Sequence, residues 1–242
     1  MLKNTTKVLL QKILGYENYL FIFSIFTISR LKNNRHEKEF ADFVNKIPNE
    51  GVILDIGANI GSMTVTLAKR LNNARIFAFE PIPSNINNIK RVIEYYHLKN
   101  VTIFEMALGE ESGELKMVVP VIKNMKMQGL SHVVVPGDTS EWNTGENFSV
   151  PVRKLDDIAE LHSIPKINAI KIDVENFEYY VLKGAENLLR RHKPKIYCEL
   201  WANELRTKTL NYLKSLGYSV FVYLEDKWAP YTNQNETNFY LE

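Results

Sequence analysis

From Gly51 onward, short apolar runs alternate with longer amphipathic segments, and this rhythm narrows the folds open to the 242-residue chain. The spacing predicts strands over 52–57, 75–80, 101–108, 169–174, 195–200 and 218–224. Helices are predicted over 62–71, 85–97, 178–191 and 204–216. A last short run, 239–241, reads as an edge strand. Strands that alternate with helices form βαβ units, so the expectation is an α/β chain with a doubly wound, mostly parallel sheet.

The rhythm breaks between the third and fourth strands. There, 114–120, 131–136 and 148–152 alternate like hairpin strands around Gly129, Gly137, Asp138, Ser140, Asn143 and Gly145. This predicts a β-rich insertion of about 110–153, set near the ligand end of the sheet. Residues 1–45 read as a helical appendage ahead of a main domain over 46–242. The appendage holds the most apolar run, Y-L-F-I-F-S-I-F-T-I over 19–28, closely followed by Arg30, Lys32 and Arg35. Ten residues fall short of the ~20 that span hydrocarbon, and no small-residue cleavage site follows. A helix laid over the core is the expectation; contact with a membrane surface or a second copy is the alternative.

Composition excludes several classes. With 30 basic and 28 acidic residues the net charge is +2, which gives no general case for a nucleic-acid partner. The cluster Arg190-Arg191-His192-Lys193 reads as a helix C-terminus that favours cations. The single cysteine, Cys198, rules out an internal disulfide and a multi-cysteine zinc site. It fits a reducing cytoplasm, with placement at the inner membrane face if the N-terminal helix meets lipid. The sequons at Asn4, Asn147 and Asn235 matter only in a secreted chain.

The first strand runs into Asp55-Ile56-Gly57-Ala58-Asn59-Ile60-Gly61, with a helix behind it. Glycines at such a turn let the backbone approach a ligand, and the helix N-terminus offers free N–H groups. Glu80 closes the second strand, where a carboxylate can accept hydrogen bonds from ribose hydroxyls. The spacing is G-x-x-x-G rather than the G-x-G-x-x-G that clears room for a pyrophosphate. Asp55 would repel a pyrophosphate but suits an ammonium group. The charges therefore favour S-adenosylmethionine over NAD. An NAD-dependent oxidoreductase is the enzyme alternative, and a non-catalytic scaffold the other.

Lys171-Ile172-Asp173-Val174-Glu175 alternates charge with apolar residues on a predicted central strand. Side chains two apart share a face, so the three charges line up. Buried charge is costly unless paired, which points to use. Ligands of such sheets bind at the carboxyl ends of the strands, where Asp173 and Glu175 fall. Asp173, Glu175 and Glu199 are also candidate oxygen ligands for Mg²⁺ or Ca²⁺, although a divalent metal is not expected. The five histidines, His36, His97, His132, His162 and His192, are scattered, and His132 alone is a candidate base. Met117, Met125, Met127 and Trp142 offer the insertion an acceptor-facing surface or a core of its own.

Five segments together resemble the FkbM family of S-adenosylmethionine-dependent methyltransferases. They are V-I-L-D-I-G-A-N-I-G (52–61), F-A-F-E-P (77–81), M-A-L-G (106–109), K-I-D-V-E-N-F-E (171–178) with L-K-G-A (182–185), and P-K-I-Y-C-E (194–199). Asn176 stands where the family usually has glycine, and asparagine tolerates the left-handed backbone such a turn needs. The resemblance implies a Rossmann-like class I fold with seven strands, the last antiparallel. It also implies O-methylation of a hydroxyl on a sugar, in glycan biosynthesis, or on a secondary metabolite. By the same resemblance, Asp55, Gly57, Ala58, Asn59 and Gly61 would hold the methionine end of the cofactor. Glu80 and Pro81 would lie at its ribose, and Met106 and Ala107 beside its adenine.

In such a transfer the acceptor oxygen displaces the sulfonium methyl in line, and a base takes its proton. Asp173 is the first candidate because the sheet holds it more rigidly than the turn holds Glu175. Lys171 would keep Asp173 ionised.

Overall fold

The computed structural model describes residues 4–30, 35–122, 125–134 and 141–242. Lys32, Pro136, Gly137, Asp138 and Ser140 lie outside the described residues. Three helices come first: α1 (Asn4–Leu14), α2 (Tyr16–Arg30) and α3 (Arg35–Asn45). The strand–helix alternation then begins with β1 (Val52–Ile56), α4 (Ser62–Arg70), β2 (Arg75–Phe79), α5 (Pro83–Tyr95) and β3 (Val101–Phe104). The insertion follows with β4 (Ala107–Leu108), β5 (Gly113–Ile122), β6 (Met125–Lys126), β7 (His132–Val133) and β8 (Gly145–Arg153). The short α6 (Ala159–His162) leads back to β9 (Ile167–Ile172), α7 (Glu178–Lys183), α8 (Glu186–His192) and β10 (Lys195–Glu199). The chain ends with α9 (Glu204–Ser215), β11 (Val220–Leu224), β12 (Lys227–Pro230) and β13 (Asn238–Leu241).

Among the described residues the main sheet runs β12-β11-β13-β10-β9-β1-β2-β3. From β3 to β10 all neighbours are parallel, and β13 is antiparallel to both of its neighbours. The seven expected strands are all present, and β12 adds an eighth by hairpin to β11. The 239–241 run is not an edge strand. Phe239, Tyr240 and Leu241 are all buried, and β13 takes the interior place between β10 and β11.

Each face of the sheet has its own apolar layer, as a doubly wound sheet requires. Val52, Leu54 and Ile56 pack with Val181, Leu182 and Leu189 of α7 and α8 and with Leu210 and Leu213 of α9. Ile53, on the other face, packs with Ile76, Tyr197, Leu67 of α4, and Phe40 and Phe43 of α3. Each fully buried leucine, isoleucine or phenylalanine contributes about 1.5–3 kcal/mol relative to exposure.

Two predicted elements break where the chain must turn. The 101–108 strand ends at Phe104, since Met106 N–H donates to the Phe104 carbonyl (2.9 Å). Ala107 and Leu108 then pair with β8 of the second sheet. The 178–191 helix is two helices. The Gly184 carbonyl accepts from Asp156 N–H (3.0 Å), and α8 restarts after Ala185.

The insertion is a small sheet in which β5 pairs with β6, β7 and β8. Its apolar layer combines Met117, Val119, Val150 and Val152 with Ile82 and Ala107. The 19–28 run forms most of α2, which lies over the body: Tyr19 and Leu20 are buried with Ile60 of the glycine loop. Asn88 Nδ2 donates both to Ser24 Oγ (2.8 Å) and to the Ile60 carbonyl (2.9 Å).

The insertion and the α7–α8 break meet at a glycine pair. A Cβ on Gly184 would stand 2.0 Å from the Gly109 carbonyl oxygen. Gly184→Ala must push these backbones apart, and we expect a loss of about 1–3 kcal/mol in denaturant unfolding. Ala185→Gly, one residue along, serves as a comparison that adds no atom.

Candidate active site

The carboxyl ends of β1, β2 and β9 and the insertion enclose a cleft of about 640 Å³, its open mouth included. Gly57 and Asn59 line it with Glu80, Pro81, Met106 and Ala107. Asp173, Val174, Glu175 and Phe177 line it beside the glycine loop. Met117, Gln128, Gly129, Ser131 and Val133 of the insertion complete it. Of the four insertion side chains singled out in the sequence, Met117 alone reaches the cleft. Met125 is buried, and Trp142 is exposed elsewhere.

The glycine loop is held from two sides. Gly57 and Ala58 N–H donate to the Phe79 carbonyl (3.1 and 3.0 Å). Gly57 has φ 75, and a Cβ there would stand 1.9 Å from the Asp173 carbonyl oxygen. Loop and acidic turn are therefore packed backbone to backbone, which only glycine allows. Asn59 is also left-handed at φ 50, and Gly61 at φ 86.

Glu80 is buried. Its Oε2 accepts from Asn59 N–H (2.8 Å), and its Oε1 accepts from Ile82 N–H (2.9 Å) and Asn85 Nδ2 (3.2 Å). Burial pushes its carboxyl up to about 7, against the pull of those three donors and of Lys171. The Oδ1 atoms of Asn59 and Asn85 are buried without a hydrogen-bond partner. Buried acceptors of this kind suit a ligand that brings hydroxyl or amine donors.

Asp55 and Lys171 are not cleft residues. Asp55 is fully buried on β1, directly across from Lys171 on β9. Its Oδ2 accepts from Thr64 Oγ1 (2.6 Å), and its Oδ1 stands 3.4 Å from Lys171 Nζ. Lys171 Nζ donates to the Gly57 carbonyl (2.8 Å), with Asp173 Oδ2 farther away at 3.9 Å. Burial alone would lower the Lys171 pKa, but Asp55, Asp173 and Glu80 outweigh it and hold it above the ordinary value. The expected direct contact of Asp55 with a ligand ammonium does not fit this geometry. Asp55 and Lys171 form a buried brace beneath the loop, and Ala58 and Gly61 are not among the residues that line the cleft.

Four carboxylates crowd the end of β9. Asp173 is partly exposed, at 41% of its side chain. Glu175 and Asn176 are consecutive left-handed residues, with φ 52 and 70. Two such residues in a row are strained without support. Glu178 supplies it: its buried Oε1 accepts from Val174 N–H (3.0 Å). Burial raises Glu178 to about 7, opposed by backbone N–H donors including Val174 and Asn176. Burial raises Glu175 to about 8, helped by Asp173, Glu199 and Glu178 and opposed by Lys171. Glu199 is raised chiefly by burial and then by Asp173, and it does not line the cleft.

Asp173, Glu175 and Glu199 do not converge as metal ligands; among the described residues no three His, Cys, Asp or Glu do. His132 is not a free base either. Its Nδ1 faces the Leu130 carbonyl (2.8 Å) and its Nε2 faces Asn143 Oδ1 (3.0 Å).

The sequence reading missed Asn85, Gln128, Ser131 and Glu178. For Glu178 a signal existed: a carboxylate four residues after Val174, across a turn that needs left-handed backbone. Gln128 and Ser131 sit in an irregular turn and carry no periodic signature.

The model of the methyltransferase FkbM domain matches residues 55–220, a stretch that holds the loop, the brace and the acidic turn. The chain belongs to this family. Methyltransferase 1 of Beauveria bassiana is 27% identical over 218 residues, 81% of this chain and 84% of the relative. The hexuronic acid methyltransferase AglP of Haloferax volcanii is 25% identical over 186 residues, 75% of this chain and 70% of that protein. The crystal structure of an FkbM methyltransferase from Methylobacillus flagellatus superposes at TM-score 0.55 with 18% identity, over 94% of this chain. The chain spans 60% of that one. The protein thus has the fold of an S-adenosylmethionine-dependent methyltransferase, and the nicotinamide alternative falls away.

Glu178 can be tested on this footing. Glu178→Ala leaves the Val174 N–H without its acceptor and should cost about 1–3 kcal/mol in unfolding. S-adenosylhomocysteine binding, followed by calorimetry, should weaken with it. Glu178→Gln keeps an acceptor oxygen and should recover most of both losses.

Proposed function

We propose that the protein transfers a methyl group from S-adenosylmethionine to a hydroxyl of a sugar, a glycan or a secondary metabolite. The supporting observation is the placing of Asp173 and Glu175 on the same cleft as Gly57, Asn59 and Glu80, beneath the insertion. The donor brings the reactive methyl as a sulfonium. On this reading Gly57 and Asn59 border the methionine end, Glu80 and Pro81 the ribose, and Met106 and Ala107 the adenine. The insertion forms the acceptor side, and residues 46–242 form the catalytic domain with 1–45 as its appendage.

A hydroxyl acceptor needs a base. Glu175 takes precedence over Asp173 because burial and three neighbouring carboxylates keep its proton affinity near neutrality. Asp173 lies within ion-pair distance of Lys171 and shapes the field that Glu175 feels. Lys171 touches no reacting atom and positions the loop. The cleft lining among the described residues holds Glu80, Asp173 and Glu175 and no lysine, arginine or histidine. A neutral acceptor fits it better than an anionic one. The likeness to AglP, a hexuronic acid methyltransferase, supports the sugar class rather than the charge.

The sign of the pH dependence follows. Glu175 is a base only when ionised, so turnover should rise with pH through about 8 and level off above it. Asp173→Asn removes a charge that raises Glu175, so the rising limb should move to lower pH while cofactor affinity changes little. Glu175→Gln should cut turnover about 10²–10⁴-fold. The measurement is transfer of labelled methyl to a panel of neutral and anionic glycosides. Full turnover in Glu175→Gln removes the base assignment. Transfer only to nitrogen acceptors removes the O-methyl reading.

A further inference from the structure

Most of the large apolar side chains left exposed lie in two neighbouring helices. Of seven among the described residues, Leu9, Ile13, Ile22 and Phe26 lie in α1 and α2, at 45–69% exposure. Leu9 and Ile13 are four residues apart, as are Ile22 and Phe26, so each pair lies along one face of its helix. The flanking faces are already used. Leu10, Leu14, Tyr19, Leu20 and Phe23 pack together over Ile60.

The same segment is the basic pole of the chain. Residues 1–35 hold Lys3, Lys7, Lys12, Arg30, Lys32 and Arg35 against Glu17, a net charge of +5. The whole chain carries +2, so residues 36–242 carry −3. Two of the cations stand over aromatic rings of the hairpin. Arg30 lies 5.0 Å from the centre of the Phe26 ring, and Lys7 Nζ 5.6 Å from that of Phe23. Apolar side chains fringed by cations match the boundary between acyl chains and anionic headgroups. A second copy of this segment would bring +5 against +5, which opposes self-association through it. Among the described residues no helix is long and apolar enough to cross a membrane.

We infer that the α1–α2 hairpin docks on an anionic lipid surface, with Leu9, Ile13, Ile22 and Phe26 immersed and Lys7, Lys12 and Arg30 on headgroup phosphates. The hairpin lies in the plane of the interface. Docking is local to the cleft roof, because Gln11 of α1 hydrogen-bonds the backbone N–H and carbonyl of Lys126 on β6 (3.4 Å each). The acidic remainder of the chain is repelled from the same surface, which orients the body outward. This inference does not rest on the cofactor or acceptor assignments.

The test is flotation with vesicles of phosphatidylcholine alone and of phosphatidylcholine with about one third phosphatidylglycerol. The full chain should float with the anionic vesicles at about 0.1 M salt and largely dissociate at about 0.5 M, as screening shortens the charge interaction. Ile22→Ser with Phe26→Ser should weaken flotation about tenfold or more, and Lys7→Glu with Arg30→Glu should abolish it. Thermal unfolding of these variants, unchanged from the parent, verifies that they are folded. Failure of the full chain to float with anionic vesicles overturns the inference. So does equal flotation with both vesicle types, or sedimentation as a dimer that Ile22→Ser with Phe26→Ser dissolves.

Discussion

The arrangement hangs on one buried cation. Lys171 Nζ sits 2.8 Å from the Gly57 carbonyl, 3.4 Å from Asp55 and 3.9 Å from Asp173. It thereby joins β1 to β9, and the glycine loop to the acidic turn. Removing an ammonium from water costs several kcal/mol, and a buried pair returns this only with good geometry and further hydrogen bonds. Here the further bonds exist: the Gly57 carbonyl takes one donor, and Thr64 satisfies the other oxygen of Asp55. Deleting one partner would strand the other in an apolar sheet, at about 3–5 kcal/mol. The pair contributes less as net stability than as a fixed geometry for the two loops.

That geometry explains the titration of the cleft. One cation is shared among Asp55, Asp173 and Glu80, and it reaches Glu175 and Glu199 only weakly against their burial. Burial, with Asp173, Glu199 and Glu178 close by, thus pushes the Glu175 carboxyl up to about 8 against the pull of Lys171. Glu178 holds this crowded turn through a backbone N–H rather than through charge. Glu80 shows the same logic, with three N–H donors standing in for a cation. The end of the sheet is an acidic pocket held by backbone amides, a field suited to a cationic cofactor.

The parallel core of the fold was legible in the sequence because period and chemistry agree there. In V-I-L-D-I and I-N-A-I-K-I the apolar residues mark buried strands, and the misplaced charges mark the face on which those strands share a buried ion pair. Spacing placed Asp55 beside a glycine loop, but spacing carries no depth. An aspartate two residues before a glycine can face ligand or core, and its partner on β9 decides which. The 178–191 helix failed for a related reason. Its break comes from a close approach to Gly109, far away in sequence, which no local propensity reports. Gln128 and Ser131 were invisible because an irregular turn places residues by tertiary contact alone.

The β-rich insertion shows why the acceptor is the hardest part of the site to read. Its sheet packs on the main fold through Ile82, and otherwise on its own Ala107, Met117, Val119, Val150 and Val152. Its inner edge meets the glycine loop lightly, with Gly129 facing the Asn59 amide. On its outer side α1 reaches it through Gln11, and Lys126 stacks over Tyr16 (4.4 Å). The insertion is thus held between two layers by few contacts, while the Lys171 frame below it is fixed by many. Substitutions in the insertion can reshape its side of the cleft without disturbing the buried pair. The buried frame therefore lies in strands that a sequence pattern reveals, and the insertion's side of the cleft lies in turns that only the folded chain brings together.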